Sequence, residues 1–369
     1  MKRCSSCILL ETYPGIRFNE QGLCTYCASH QRKEYYGEEA LKRIIERQRA
    51  KHQPFDAVVG ISGGRDSAYA LYYMVRVAKL KVLGFLFDNG LVPESARANL
   101  KNMTESLGVE LVVGRNCLRE CLKNNLEAWI RKPCLNFILL TCTICNAGIE
   151  IGLRQAAKQR GVSLIVTGSG GVEEAHFKGA LVHFGARRQE RNHLALTGAI
   201  VWELLRNPAY FKHPRCLYEE GRAFLYQYLP WPVMQRLFYR DQTRIDLFNY
   251  IPFDEPEIHR VIETELGWRK PANVESPWRF DCKLSFLKNW IFLQLFDFSE
   301  KDDLFSSMIR EGLLTREEAL RRIDRENLIP EELVRDLCRE AGLDLEKIRK
   351  ATHQLRTELE HHRREESLY

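Results

Sequence analysis

A glycine-rich loop between an apolar run and a helical pattern constrains this chain more than any other feature. Residues 57–61 have the apolar sequence AVVGI, residues 62–67 have the sequence SGGRDS, and residues 68–78 have helical spacing. A short apolar run that ends in glycines is typical of a buried parallel strand. Glycines between such a strand and a helix let backbone N–H groups reach a bound anion, and the helix N-terminus adds a positive dipole end. The sequence therefore predicts a phosphate-binding turn at this point.

The alternation of strand and helix continues along the chain. Further strands are predicted at residues 81–87, 109–113 and 162–166, and helices at residues 93–107 and 145–159. Strands separated by helices of this length indicate βαβ units, and so an α/β fold with a doubly wound parallel sheet. Ligands of such sheets bind beyond the carboxyl ends of the strands. The turns after Ile61, Phe87 and Val166 lie at such ends, and Phe87 is therefore a candidate contact of the ligand.

Three regions with different patterns divide the chain. Residues 1–35 are rich in cysteine, residues 36–250 contain the strand–helix alternation, and residues 251–369 are helical. Within the second region, residues 175–250 combine aromatic and basic side chains and are expected to form an elaboration over the active site. A chain of 369 residues exceeds the usual size of one domain, which agrees with several units that share interfaces.

Composition and charge exclude several classes of protein. No uncharged apolar stretch reaches about 18 residues, so no membrane-spanning helix is predicted, and the N-terminus lacks the apolar segment of a secretory signal. We therefore expect a cytoplasmic protein with no membrane partner. The net charge of +6 is too small to indicate a nucleic-acid-binding protein by itself. In a reducing cytoplasm, the 12 cysteines are expected to serve metal binding or catalysis rather than disulfides.

The polar side chains of the loop suit a nucleotide with a bound metal ion. The hydroxyls of Ser62 and Ser67 can donate to phosphate oxygens, whereas Asp66 would repel them unless Mg²⁺ bridged the carboxylate and the phosphates. The sequence does not fit a Walker A loop, which needs a lysine after its last glycine. A glycine-rich turn without a ligand is the alternative interpretation. The residues expected to bind the nucleotide are Gly60, Ser62, Gly63, Gly64, Arg65, Asp66 and Ser67.

Two CxxC pairs near the N-terminus predict a structural metal site. Cys4 and Cys7 form the first pair, Cys24 and Cys27 form the second, and 16 residues separate the two pairs. This spacing matches a zinc ribbon or knuckle, in which four thiolates hold one tetrahedral Zn²⁺. Such an ion would stabilise a module too small for a core of its own and would have no role in catalysis. A [2Fe–2S] cluster and redox-active pairs are the alternatives.

The loop SGGRDS resembles the SGGxDS signature of the PP-loop ATP pyrophosphatases. That resemblance implies an enzyme that cleaves ATP between its α and β phosphates and transfers AMP to a carbonyl or amide oxygen, with Asp66 in a catalytic role. Residues 167–175 (TGSGGVEEA) resemble the TGHNxDDxA segment of the same family, although the histidine and the first aspartate are missing. By this resemblance Thr167 and Gly168 lie beside the nucleotide, and Glu173 helps to hold the metal. A carboxylate favoured by a helix dipole is the alternative for Glu173.

A third CxxC pair, Cys142 and Cys145, is expected just before the helix that leads to the last predicted strand. The competing interpretations are two small residues at a helix start, a catalytic persulfide carrier or redox pair, and a [4Fe–4S] cluster held by three cysteines. The spacing to the segment 167–168 resembles that of the cluster-dependent tRNA thiolases of the PP-loop group, which need a third cysteine. Cys282 is the first candidate for that ligand, and Cys216 is the second.

Much of the chain between residues 4 and 320 resembles the N-acetyl sugar amidotransferases. The segments that carry this resemblance include residues 4–7 (CSSC), 22–27 (GLCTYC), 142–149 (CTICNAGI), 266–268 (LGW) and 314–319 (LTREEA). It implies that the enzyme converts an acetamido group to an acetamidino group on a small-molecule substrate, a nucleotide-linked N-acetyl sugar. ATP and Mg²⁺ would drive the reaction, and a separate glutaminase subunit would supply ammonia. A second copy of the chain is a further candidate partner.

One segment departs from the pattern of that family. Residues 275–282 (ESPWRFDC) end in a cysteine where an aromatic and basic segment is expected. That cysteine fits sulfur transfer or a cluster better than it fits transfer of ammonia. The sequence therefore leaves nitrogen and sulfur open as nucleophiles, and a non-enzymatic ATP sensor is a third interpretation. The moderate charge and the lack of a clear RNA-binding motif disfavour tRNA as a sulfur acceptor.

Overall fold

Five parallel strands form the centre of the protein. A computed structural model describes residues 2–49, 53–115, 118–135, 137–172, 201–202, 204–228, 233, 237 and 239–366. The strands are β1 (Ala57–Gly60), β2 (Val82–Asp88), β3 (Glu110–Arg115), β4 (Leu164–Thr167) and β5 (Thr243–Asp246). Their order in the sheet is β3-β2-β1-β4-β5, and every neighbouring pair is parallel. The doubly wound parallel sheet predicted from the sequence is confirmed.

Helices flank the sheet and continue past it toward the C-terminus. They are α1 (Thr25–Ala28), α2 (Glu38–Arg49), α3 (Arg65–Tyr72), α4 (Glu94–Leu107), α5 (Leu118–Arg131), α6 (Phe137–Gln159), α7 (Pro214–Tyr228), α8 (Glu255–Leu266), α9 (Lys283–Phe296), α10 (Glu300–Glu311), α11 (Arg316–Glu326), α12 (Glu331–Ala341) and α13 (Leu345–Glu366). A π-helical segment at Tyr73–Val77 continues α3. Among the residues described, no helix is long and apolar enough to cross a membrane.

The central strand is buried on both faces, as its continuous apolar sequence predicts. Val59 belongs to a large core with Ala68 of α3 and Leu100 of α4. Val58, its neighbour in β1, packs into a separate cluster with Leu153 of α6. Because successive side chains of a strand point to opposite faces, the two clusters show that helices cover both faces of the sheet.

The strand order places a switch point between β1 and β4. The chain runs outward from β1 to β2 and β3, and then returns to β4 on the other side of β1. The loop that follows β1 and the turn that follows β4 at Thr167 therefore lie side by side at the carboxyl edge. In doubly wound sheets this crevice is where ligands bind. The topology thus puts both glycine-bearing turns of the sequence at one site.

Two elements differ from the sequence predictions. The strand β5 lies within the region expected to be an elaboration, and it pairs with β4 along residues 164–167. The helix α6 begins at Phe137 rather than at Cys145, because the apolar segment before Cys142 continues the helical pattern. In the helical C-terminal region, the Thr315 hydroxyl caps α11 by accepting from the Glu318 N–H at 3.2 Å.

The N-terminal cysteine module packs against the C-terminal helices. Cys4, Cys7 and Tyr13 share one buried apolar cluster with residues of α9, α12 and α13. Arg316, in the first turn of α11, donates to the carbonyl oxygens of Cys4 and Cys7, at 3.1 Å each. The two ends of the sequence therefore meet on one side of the fold.

Candidate active site and metal centre

The predicted phosphate loop lies at the carboxyl end of β1. β1 ends at Gly60 and α3 begins at Arg65, so four residues form the turn between them. The hydroxyl of Ser67 lies 3.1 Å from both the N–H and the Oγ of Ser62, and it donates to the Gly64 carbonyl at 3.1 Å. The two serine hydroxyls therefore lie together at the N-terminus of α3, where the helix dipole favours an anion.

Two glycines allow close backbone contacts at this site. Gly63 has a φ of +83°, in the left-handed region that favours glycine, and a Cβ there would collide with the carbonyl oxygen of Ala96. A Cβ at Gly168 would collide with the carbonyl group of Asp66. The turn after β4 thus packs directly on the first turn of α3, and the contact of Gly168 with the nucleotide stays a prediction.

Two buried donors hold the Gly63 carbonyl in place. The indole N–H of Trp268 donates to it at 3.0 Å, and the side-chain amide of Asn99 donates at 3.2 Å. The side chain of Asn99 also donates to the backbone carbonyl of Arg269 and accepts from its backbone N–H. These two hydrogen bonds connect α4 to the segment after α8. The shape of the loop therefore depends on residues far from it in sequence, and the motif alone does not reveal them.

Arg65 is buried and paired with carboxylates. Its side chain is only 1% exposed, and its Nε lies 2.7 Å from Asp66 Oδ1. Its Nη1 lies 2.5 Å from Glu255 Oε1, and its guanidinium lies over the Phe253 ring at 5.0 Å from the centroid. In this arrangement the Arg65 guanidinium forms ion pairs within the protein, at the base of the loop.

A second carboxylate, which no sequence motif marks, lies against the loop. Asp281 Oδ2 sits where a side chain on Gly64 would otherwise be, and the carboxylate accepts a hydrogen bond from Ser62. Burial raises the pKa of Asp281, against the lowering effects of the Ser62 hydrogen bond and the Arg279 charge. The charge of Asp66 raises it further. The only sequence signal for Asp281 was its place beside Cys282.

These two carboxylates fit the Mg²⁺ expected from the sequence. Mg²⁺ prefers oxygen ligands and is usually held by one or two carboxylates together with substrate phosphates. Asp66 and Asp281 repel each other beside the serine hydroxyls, so a divalent cation between them and a phosphate would be stabilised by both. Asp66 and Asp281 are the residues that would hold it.

Three cysteines converge at the carboxyl edge of the sheet, next to the loop. The side-chain amide of Asn89, just after β2, donates to the sulfur atoms of Cys145 at 3.6 Å and Cys282 at 3.7 Å. The ammonium group of Lys288 donates to the sulfur of Cys142 at 3.7 Å. Burial raises the pKa of Cys145, and electrostatic repulsion from Cys282 raises it further. Because Cys282 follows Asp281 directly, this sulfur cluster adjoins the phosphate loop.

The structure corrects one prediction about these cysteines, and it gives Cys282 and Cys216, the two candidates for a third cluster ligand, different surroundings. Cys142 and Cys145 lie within α6, one turn apart, and not before a helix. Cys282, at the N-cap of α9, shares the Asn89 contact with Cys145. Cys216 lies instead in a buried apolar cluster with Ile144 and Cys121, against which Cys145 also packs.

Four cysteines at the N-terminus form a site of the right size for one tetrahedral ion. The sulfur atoms of Cys4, Cys7, Cys24 and Cys27 all lie within 4.8 Å of one another. The Cys4–Cys27 pair is separated by 3.9 Å and the Cys7–Cys24 pair by 3.8 Å. Four sulfurs at about 2.3 Å from a central ion have tetrahedral edges of about 3.8 Å. This agreement supports the predicted metal site.

Backbone groups also prepare this site for thiolates. The N–H groups of Ser6 and Cys24 point at the Cys4 sulfur, at 3.4 and 3.2 Å. Hydrogen bonds with Cys24 and Cys7 lower the pKa of Cys27, and the hydrogen bonds with Cys27 and Cys7 raise the pKa of Cys24, so Cys27 ionises before Cys24. Hydrogen bonds to a charged sulfur favour its ionised form, which is the form that binds a metal.

The other predicted ligand contacts have varied surroundings. Gly60 packs against Leu153 of α6, where a Cβ would approach the leucine side chain to 3.2 Å. The half-buried ring of Phe87 lies against Gly148 of α6. The hydroxyl of Thr167 donates to Asp246 of β5. Glu173 lies outside the residues that the structure describes.

Comparison with known proteins gives one family match and a distant structural similarity. Residues 279–368 match the C-terminal domain of the WbpG-like LPS biosynthesis proteins. Among solved structures, the chain is similar to the U34-tRNA thiolase NcsA from Methanococcus maripaludis with its [4Fe-4S] cluster, with 13% identity and a TM-score of 0.33 over 85% of this chain and 87% of that chain. A similarity this low supports no argument about the reaction. No curated protein matches the sequence at a significant level.

The matched segment contributes directly to the site. It contains Asp281, which contacts the loop. It also contains Cys282, which accepts from Asn89, and Lys288, which donates to Cys142. The matched segment therefore lies beside the SGGRDS loop at the switch point of the sheet.

Proposed function

We propose that the protein adenylates the acetamido oxygen of a nucleotide-linked N-acetyl sugar and that ammonia then displaces AMP. The observation that carries the adenylation step is the loop at the switch point of the sheet. Two serine hydroxyls, a helix N-terminus and the carboxylates of Asp66 and Asp281 lie close together there. The match to WbpG-like LPS biosynthesis proteins supports a sugar as the acceptor.

The proposed reaction has two displacement steps. The amide oxygen attacks the α phosphorus of ATP, the bond to the bridging oxygen of the β phosphate breaks, and pyrophosphate leaves with the electron pair. The activated carbon then accepts ammonia, and its bond to the AMP oxygen breaks, which leaves an acetamidino group after loss of a proton. Adenylation is needed because an amide oxygen is a poor leaving group, whereas AMP is a good one.

The residues of the loop have separate roles in this scheme. The N-terminus of α3 and the hydroxyls of Ser62 and Ser67 hold the phosphates that become pyrophosphate. Asp66 and Asp281 would hold Mg²⁺, which would neutralise charge on the leaving group. Trp268 and Asn99 keep the loop in shape, since both donate to the Gly63 carbonyl.

A test of the acceptor uses ammonium salt in place of a glutaminase. The protein is incubated with ATP, Mg²⁺, ammonium chloride and a panel of nucleotide-linked N-acetyl sugars, and the products are analysed by mass spectrometry. One sugar is expected to gain an acetamidino group in step with formation of AMP. If AMP forms with no nitrogen incorporated into any sugar of the panel, the proposed amidation is wrong while adenylation stands.

The sulfur cluster favours a second candidate function, sulfur transfer with a [4Fe–4S] cluster. Three cysteines around Asn89 and Lys288 would provide three thiolate ligands for a cluster and would leave one iron open for a sulfur atom. Thiolates suit iron–sulfur clusters, and the site adjoins the loop where an acceptor would be adenylated. Cys142, Cys145 and Cys282 are the residues that would hold such a cluster.

Metal analysis after anaerobic purification tests this second candidate. The sulfur-transfer hypothesis predicts about one zinc ion per chain in the N-terminal site and, in addition, iron with acid-labile sulfide and broad visible absorption. The Cys282→Ala variant should lose the iron and keep the zinc, whereas Cys338→Ala, at a buried cysteine of the C-terminal helices, should keep both. Zinc alone in the wild-type protein would contradict the cluster.

A further inference from the structure

A chain of alternating charges runs from the phosphate loop into the C-terminal helices. In order, its members are Asp66, Arg65, Glu255, Arg322 and Glu326. Arg322 Nη1 lies 2.7 Å from Glu255 Oε2, and Arg322 Nε lies 2.8 Å from Glu326 Oε1. Each charged group therefore contacts neighbours of opposite sign. The middle member, Glu255, connects the two arginines.

Glu255 remains charged in this buried position. Its side chain is 12% exposed, and it is the first residue of α8. Burial opposes its ionisation, yet the hydrogen bond from Arg322 and the charge of Arg65 lower the pKa of Glu255. Its negative charge at the N-terminus of α8 is also favoured by the helix dipole.

All three guanidinium nitrogens of Arg65 contact carboxylates. Nε and Nη2 lie 2.7 and 3.4 Å from the two oxygens of Asp66, and Nη1 lies 2.5 Å from Glu255. An arginine paired with Asp66 alone would neutralise that carboxylate and compete with a metal ion for its oxygens. Glu255 takes the third nitrogen and shares the positive charge, so Arg65 offsets only part of the negative charge of Asp66.

We propose that Glu255 is a positioning residue that holds Arg65 away from the phosphates and keeps Asp66 available to Mg²⁺. This inference rests on the proposed function, because it assumes that Asp66 holds the metal of a Mg²⁺–ATP complex. It differs from the expectation that Arg65 itself binds the nucleotide phosphates. The two alternatives make different predictions about metal and nucleotide.

The test measures nucleotide binding without turnover. Binding of α,β-methylene ATP, which cannot be cleaved between its α and β phosphates, is followed by equilibrium dialysis as Mg²⁺ is varied. Glu255→Gln should raise the Mg²⁺ concentration needed for half-maximal binding about 10-fold, because loss of a group that orients a metal ligand typically weakens metal affinity by about that factor. Glu255→Asp keeps the charge and should give a smaller rise.

A matched control lies on the same helix. Glu257 of α8 is partly exposed and pairs with Arg260, three residues along, so Glu257→Gln should leave the Mg²⁺ dependence unchanged. An unchanged dependence in folded Glu255→Gln would overturn the inference. If Glu255→Gln does not fold, as judged by circular dichroism, Glu255→Asp decides the question, since a dependence equal to that of the wild type would overturn it as well.

Two further outcomes separate this inference from its premise. Absence of Mg²⁺-dependent binding in the wild-type protein would count against the proposed function itself. Weaker binding of Glu255→Gln at saturating Mg²⁺, with the midpoint for Mg²⁺ unchanged, would assign the network to the phosphates instead and would contradict the inference.

Discussion

At the scale of single residues, the close contact between Gly168 and α3 has a direct consequence for nucleotide binding. A methyl group at Gly168 would meet the carbonyl group of Asp66 and the backbone nitrogen of Ser67. Backbone atoms cannot move aside as a flexible side chain can, so the first turn of α3 would have to shift. Gly168→Ala should therefore weaken binding of ATP and lower the free energy of unfolding by about 1–3 kcal/mol.

Denaturant unfolding and binding of α,β-methylene ATP check this prediction. Gly221→Ala serves as the control, because Gly221 lies in α7 and a Cβ there has no neighbour within 4 Å. That substitution should be neutral or stabilising, by up to about 1 kcal/mol. Equal behaviour of the two variants would mean that the turn after β4 does not constrain the loop.

Residues of the loop could be predicted from the sequence, whereas those that support it could not. Ser62 and Ser67 belong to a local motif between a strand and a helix, and local patterns are visible in the sequence. Trp268, Glu255 and Asp281 reach the loop from about 200 residues away, through tertiary contacts that no local pattern encodes. Their partners became apparent only from the folded geometry.

Asn89 is an intermediate case among these residues. It belongs to the acidic turn after β2, and the position of that turn at the carboxyl edge of the sheet was predicted. Its contacts with Cys145 and Cys282 depend on how α6 and α9 approach that edge. The strand order alone could not specify this approach, because both helices reach the edge from distant parts of the chain.

At the scale of elements, strongly periodic segments were predicted best. The strands near residues 57, 82, 110 and 164 were found within a few residues of their predicted positions, because buried parallel strands have continuous apolar sequences. The strand β5 was missed, since only Ile245 of its four residues is fully buried and apolar. An edge strand of this kind has too short a pattern to detect.

The last helix shows that the spacing of apolar residues carries information that the charge of a segment does not. By its many charged residues alone, the segment Leu345–Glu366 would be an exposed helix or a frayed tail. It is helical, and Ile348, Ala351, Leu355 and Leu359 bury one side of it against the C-terminal core. These positions have spacings of three and four residues, so the amphipathic pattern was present within the charged sequence.

At the scale of the whole molecule, the C-terminal helices link the N-terminal cysteine module to the phosphate loop. Arg316 of α11 holds the backbone of Cys4 and Cys7, and Arg322 of the same helix pairs with Glu255. Glu255 in turn holds Arg65 at the base of the loop. One helix therefore contacts the cysteine module directly and the phosphate loop through Glu255 and Arg65. The boundaries at residues 35 and 250 remain predictions, although the parts that they divide share extensive contacts.

The central claim is that this site cleaves ATP between the α and β phosphates, and product analysis tests it most directly. With Mg²⁺ and an accepted substrate, the wild-type protein should release AMP and pyrophosphate in equal amounts, measured by chromatography of labelled ATP. Asp66→Asn, which keeps the shape of the side chain but removes its charge, should lower the rate by at least about 100-fold. Release of ADP and phosphate, or full activity of Asp66→Asn, would contradict the account.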